Sequence, residues 1–274
     1  MFDAVFLFKD ALWGALVIAL ACSVLGVYVV MRRIVFVGAA LAELSSAGIA
    51  LALWLGGMGW AAGAATHPVA LSLVVTLAGA LFFGMGGGRG RVPQDATIGV
   101  TYAVAAAAGI LLIAKAATGE AHDIFLQGNI LGITATDTLV LLGVSVPVLL
   151  LHLVFYKEFL FVSFDRETAR TLGFSVDAWN LLLYLTLGLV IAFAMQFAGV
   201  MLVFNFLVLP AVTGMLAARS MTGTFAVSVG SGLLAAVVGF CLSVPFDLPT
   251  GPAIIVVSGV LALLAWIVRR VQER

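Results

Sequence analysis

Apolar runs of membrane-crossing length, separated by short polar or glycine-rich stretches, occupy nearly the whole chain. They fall near residues 11–30, 34–56, 67–85, 96–114, 136–155, 179–197, 200–218, 222–243 and 251–268. A spanning helix needs about 20 apolar residues, and most of these runs supply that length. They are apolar on all sides, without the alternation that a membrane barrel strand requires. The pattern predicts an all-α, polytopic transmembrane helix bundle of about nine helices forming one domain over residues 1–274. Between Asn180 and Ala218 the apolar run barely breaks, and only Gln196 to Gly199 offers a turn. Eight helices, or one helix broken at that point, is the alternative count.

Composition and charge sharpen this picture. Of 274 residues, 64% are hydrophobic and 9% are charged. A soluble domain carries about 25% charged residues, so the bilayer is the solvent here. No room is left for a soluble catalytic domain. Net charge is zero and carries no nucleic-acid footprint. Basic residues orient membrane proteins, accumulating on the cytoplasmic side. With the N-terminus outside, the inner loops hold Arg32, Arg33, Arg89, Arg91, Lys157, Arg166, Arg170, Arg219, Arg269, Arg270 and Arg274. The outer side holds only Lys9 and Lys115. That split places the C-terminus inside, with no cleavable signal peptide in Met1 to Asp10. Cys22 and Cys241 lie in apolar runs and read as small buried hydrophobes.

Two connections are longer than the rest. The outer one, Lys115 to Ala135, mixes charge with Ile124, Phe125, Leu126 and Ile130. It reads either as a short interfacial helix or as an ordinary surface loop. The inner one covers 156–178, with sequence YKEFLFVSFDRETARTLGFSVDA. Within it, Asp165 to Leu172 has the marks of a short helix: Asp165 at the start, Arg170 near the end and Gly173 as a stop. A charged, ordered helix there suggests a docking element for a partner, with a simple connector as the alternative.

The candidate chemistry begins with Glu43. It is the single charge in the run 34–56. A carboxylate at membrane depth costs roughly 2.5 kcal/mol or more and normally faces a bundle interior or a wet path. The alternative is a carboxyl that locks two helices together. Gly38, Ala42, Ser46 and Ala50 form a ridge of small residues that allows close helix approach beside Glu43. Ser45 and Ser46 offer oxygen contacts, although such serines more often bond within their own helix. In the seventh run, Asn205 is an amide at depth and Pro210 interrupts the backbone pattern. Asn205 is a candidate partner for Glu43, or else a packing hydrogen bond elsewhere. The three histidines, His67, His122 and His152, have no metal-ligand spacing, and no HExxH, CxxC or GxSxG motif occurs. The glycine run at 84–91 lacks the GK[ST] ending of a phosphate loop and reads as a flexible inner turn.

Several stretches together resemble the permease subunits of the zinc/manganese/iron class of metal-ion ABC importers. They are VMRRIVFVGAALAELSSAGIALAL at 30–53, TIGVTYAVAAAAGILLI at 97–113 and FDRETARTLGF at 164–174. AGVMLVFNFLVLPAVTGMLAA at 198–218 and DLPTGPAIIVVSG at 247–259 complete the set. The resemblance implies a type II ABC importer permease fold in a bacterial inner membrane and no enzyme activity of its own. It implies a permease homodimer, a separate ATPase that hydrolyses ATP, and an extracytoplasmic solute-binding protein. Lipid is the remaining contact. Asp165, Arg166, Arg170 and Gly173 would lie in the element that couples to the ATPase. Glu43, Ser46 and Asn205 would line the substrate path. Family members that carry zinc or manganese typically place an Asp and a His four residues apart in the second helix. The matching positions here are Ala39 and Glu43. A lone carboxylate suits hard ions better than zinc, which prefers nitrogen and sulfur. Glu43 is then the one candidate metal contact, and the cargo is a divalent ion or a metal complex. Two other readings stay open on the residues: a secondary cation- or proton-coupled transporter using Glu43, and a membrane assembly subunit without a transport path.

Overall fold

The structure, a computed structural model, describes residues 8–58, 67–86, 92–115 and 130–272. Ten α-helices occupy these residues, with no strand among them. α1 (Lys9–Met31) and α2 (Phe36–Gly57) are joined by a tight turn, and α3 (Pro68–Gly84) and α4 (Gln94–Lys115) follow. α5 (Ala135–Val154), α6 (Tyr156–Phe164) and α7 (Arg166–Thr171) lead to α8 (Val176–Ala217), α9 (Met221–Phe246) and α10 (Thr250–Gln272). Seven are long and apolar enough to cross a membrane, and α3 is a shorter apolar helix. The outer connection 115–135, read either as a short interfacial helix or as a surface loop, lies mostly outside the described residues, as does most of the glycine run 84–91. Only a 3-10 turn, Ile130–Gly132, is seen before α5.

Local chemistry explains several helix ends. Pro68 opens α3, where its missing N–H costs nothing. Thr134 and Asp137 close a reciprocal capping box at the start of α5. Ser220 accepts from the Gly223 backbone N–H at the start of α9.

α8 has 42 residues, about 63 Å if straight, or twice the apolar core of a bilayer. It is not straight. Gly199 has φ 73° and ψ 167°, a backbone region essentially closed to residues with a Cβ. Both ends of α8 lie beside the same end of α1. Asn180, near its start, accepts from Arg32, while Phe225, just beyond its end, meets the Tyr28 ring edge-on at 5.2 Å. α8 is therefore a pair of antiparallel limbs, 176–198 and 200–217, folded back at Gly199. With α8 counted as two spans and α3 included, nine spans result, and the break lies where the sequence offered its turn.

α1, α2 and both limbs of α8 form the buried centre, with Tyr28, Tyr184, Phe83, Phe159, Phe206 and Phe240 as its largest enclosed side chains. α4, α5 and α10 bury one narrow stripe each and present broad apolar outer faces, such as Val100, Leu111, Leu139 and Val256. Such faces suit lipid or another apolar helix. Arg32, Arg166 and Arg269 gather at one end of the bundle, called here the basic face.

Candidate translocation and coupling sites

Glu43 sits in the first half of α2, about 10 Å along its axis from Phe36. The helices around it approach closely because its neighbours are small. A Cβ on Gly48 would meet the Ser72 Cα at 2.7 Å, and one on Gly109 of α4 would lie 3.8 Å from the Ala47 Cα. Gly38 gives way to the Leu207 side chain of α8. Of the ridge expected from the sequence, Gly38 faces α8 and Ser46 faces α4, while the approach to α3 is made by Gly48, outside that ridge. Ser45 bonds across to the Ser72 hydroxyl at 2.7 Å, fixing α2 to α3 rather than bonding within its own helix.

Several residues of the central part of α2 keep slight access, Ile49 among them, and Leu44 is more open. Ala39, Glu43, Ser46 and Ala47 are 6–9% exposed, whereas Ala42, Ser45 and Ala50 are fully enclosed. Glu43 and Ser46 are thus both narrowly accessible. Among the described residues, no group donates a hydrogen bond to the Glu43 carboxyl and no cation pairs with it. Asn205 is buried on the second limb of α8, but its amide donates to the Ser258 hydroxyl of α10 at 3.1 Å. The packing alternative therefore holds for Asn205 rather than a bond to Glu43, and its Oδ1 has no partner among the described residues. Among the described residues, no three His, Cys, Asp or Glu side chains gather to hold a metal ion.

The second site is on the basic face. Asp165 caps α7, accepting from the Thr168 backbone at 3.0 Å and its hydroxyl at 2.6 Å. Those bonds hold the Asp165 carboxyl below its ordinary pKa. Gly173, at φ 85°, ends the helix, and the Phe174 N–H returns to the Ala169 carbonyl at 3.0 Å. This is a Schellman closure, which favours glycine at its left-handed position. Only Ala169 of α7 is buried, against Val162 and Val176. Arg166, Arg170, Leu172 and Phe164 face outward.

Residues that sequence reasoning passed over tie α7 to the bundle. Arg32, at the end of α1, donates from Nε to Ser163 Oγ at 2.7 Å and from Nη1 to Asn180 Oδ1 at 2.8 Å. Asn180 donates in turn to the Gly84 carbonyl at 2.9 Å. Arg166 reaches the same Asn180 oxygen at 3.3 Å. Burial, and then the nearby Arg166 charge, lower the Arg32 guanidinium to about 10, so it stays charged at neutral pH. α6 was also missed. Its signal was Phe159 and Val162, three residues apart and both fully buried.

The spans, the fold-back and the exposed capped helix together give a many-helix membrane bundle with a docking-sized element on its basic face, and comparison with known proteins says what family it is. Residues 4–269 match the model of the ABC 3 transport family. The chain belongs to that family. It is therefore a membrane-spanning permease subunit of an ABC transporter. It is 30% identical over 267 residues to the manganese import system permease protein ScaB of Streptococcus gordonii, covering 97% of this chain and 92% of that one. It is 30% identical over 260 residues to the manganese transport system membrane protein MntC of Halalkalibacterium halodurans, covering 94% and 86%. Among solved structures, PsaBC from Streptococcus pneumoniae in complex with Fab is similar, with TM-score 0.81 and 29% identity over 94% of this chain and 90% of that chain.

Proposed function

We propose that this permease imports a divalent metal ion or metal complex, working as a homodimer with a separate ATPase and an extracytoplasmic solute-binding protein. Similarity over nearly the full chain to manganese import permeases carries this reading. The basic face is cytoplasmic, following the distribution of Lys and Arg, and the bundle spans a bacterial inner membrane. α7, exposed and fixed at both ends, is the docking element; Asp165 and Gly173 set its ends, and Arg166 and Arg170 face the ATPase.

Glu43 with Ser46 lines the path as a transient oxygen contact. One carboxylate without a ring of further ligands holds a cation weakly, which suits a station that cargo must leave. Asn205 is the third path residue in this reading, although its Oδ1 is enclosed here and its amide is held by Ser258. The test is uptake of manganese, zinc and iron ions by cells lacking the chain, with rescue by the intact gene. Loss of uptake of one of these ions on deletion, restored by the gene, is expected. Unchanged uptake of all three, and of their chelates, would overturn the reading.

A further inference from the structure

We infer that Arg32 is a positioning residue that carries movement of α7 to the helix bearing Glu43. This rests on the docking of an ATPase at α7. Arg32 stands where α1 ends; Arg33 then turns the chain in a left-handed conformation, φ 59°, and α2 begins at Phe36. Its guanidinium holds both flanks of α7. Ser163 lies two residues before the Asp165 cap, and Asn180 lies in the first turns of α8. Arg166, within α7, shares the Asn180 oxygen with Arg32. The Asn180 amide passes the link to the end of α3, which is locked to α2 by Ser45 and Ser72. A displacement of α7 therefore has two routes to α2: through the α1–α2 turn and through α3.

The joint also has the marks of an element with a second arrangement. Among the described residues, Arg32 Nη2 is buried without a partner, an unsatisfied donor of a kind rare in native interiors. Two arginines share one amide oxygen, Arg32 at 2.8 Å and Arg166 at 3.3 Å, so a small shift of α7 can exchange which of them holds Asn180 more closely. Partner exchange of this kind lets a hydrogen-bonded link take two discrete positions rather than deform continuously.

The experiment uses the permease with its ATPase and binding protein in proteoliposomes. The reporter is Ala47→Cys in a Cys241→Ala background, Cys22 being fully enclosed. Three readouts are taken: ATPase recovery and hydrolysis, the nucleotide-dependent change in thiol labelling at position 47, and manganese(II) uptake. Arg32→Gln is expected to retain the ATPase and its hydrolysis while the labelling change and uptake fall about tenfold, within the range for residues in a coupling network. Arg32→Lys, which keeps the charge but offers one nitrogen in place of the planar fork that reaches Ser163 and Asn180 from Nε and Nη1, should fall between the two. Ser163→Ala removes one bond without unsettling the fold and should cost about threefold; it decides the matter should Arg32→Gln fail to assemble. Wild-type labelling and uptake in assembled Arg32→Gln overturns the inference while leaving the docking reading intact. Failure of the wild-type chain to recover any ATPase overturns both.

Discussion

Gly26 offers a sharp test of how the bundle centre is packed. It lies on α1 against the backbone of Leu207, in the second limb of α8. A Cβ there would overlap the Leu207 carbonyl oxygen and come within 2.8 Å of its carbonyl carbon. Carbon atoms rest about 3.5–4.0 Å apart, so the limb must move by roughly 0.7–1.2 Å. Overpacking a core costs typically 1–3 kcal/mol, and the upper end applies because backbone is displaced. Alanine recovers about 1 kcal/mol of helix propensity over glycine. Gly26→Ala should therefore lose about 2 kcal/mol. Gly143 is the control: it also lies inside a helix, α5, but nothing is within 4 Å of its added Cβ. Gly143→Ala should gain up to about 1 kcal/mol. On the scale of roughly 2–4 °C per kcal/mol, the midpoints should move about 4–8 °C down and up to about 4 °C up. Size-exclusion chromatography of heated, detergent-solubilised protein reads both. Shifts of the same sign would refute the argument. Leu207 also fills the space over Gly38 at the start of α2, so the damage should extend to transport.

Glu43→Gln should cut metal uptake at least tenfold while leaving expression and ATPase recovery intact, because it removes charge and keeps shape. Full uptake by a well-expressed Glu43→Gln permease would leave Glu43 as a structural group only. Replacing Arg166 and Arg170 with Glu should reduce ATPase co-purification several-fold without changing the permease melting midpoint, and undiminished recovery would make α7 a connector. A reporter fused after Arg274 should be active only in the cytoplasm; periplasmic activity from an intact fusion would invert the topology.

The bilayer made much of the fold legible in the sequence. A span must be apolar and about 20 residues long, so the runs announce themselves, and a lone Glu43 stands out against them. Gln196 to Gly199 showed where a turn could fall. That α8 reverses at one residue was not legible, because it depends on a backbone conformation rather than a polar gap. The joint on the basic face was hidden for another reason. Arg32 meets Ser163 and Asn180 across 131 and 148 positions, and Asn180 meets Gly84 across 96. Each is an ordinary polar residue at the edge of a run, and only the packed bundle assigns its partners. α6 was read as part of a connection because its apolar residues are too few to signal a span, although Phe159 reaches the centre to stack on His152 at 4.1 Å.

The fold-back at Gly199 constrains how this chain is made. A turn of one residue leaves no tether for the first limb to settle while the second is still being synthesised. The two limbs must enter the bilayer side by side, as a preformed hairpin, or the first must wait in an unsettled position until Ala217 has emerged. Ala198 and Val200 are themselves buried and Met201 is the exposed residue beside them, so the tip offers little surface to be held from outside. Biogenesis of the centre of this permease is thereby timed by the last third of its own sequence. A chain truncated near residue 199 should be cleared by membrane proteases, whereas one ending after Ala217 should persist; equal lifetimes in a pulse-chase would argue for sequential entry.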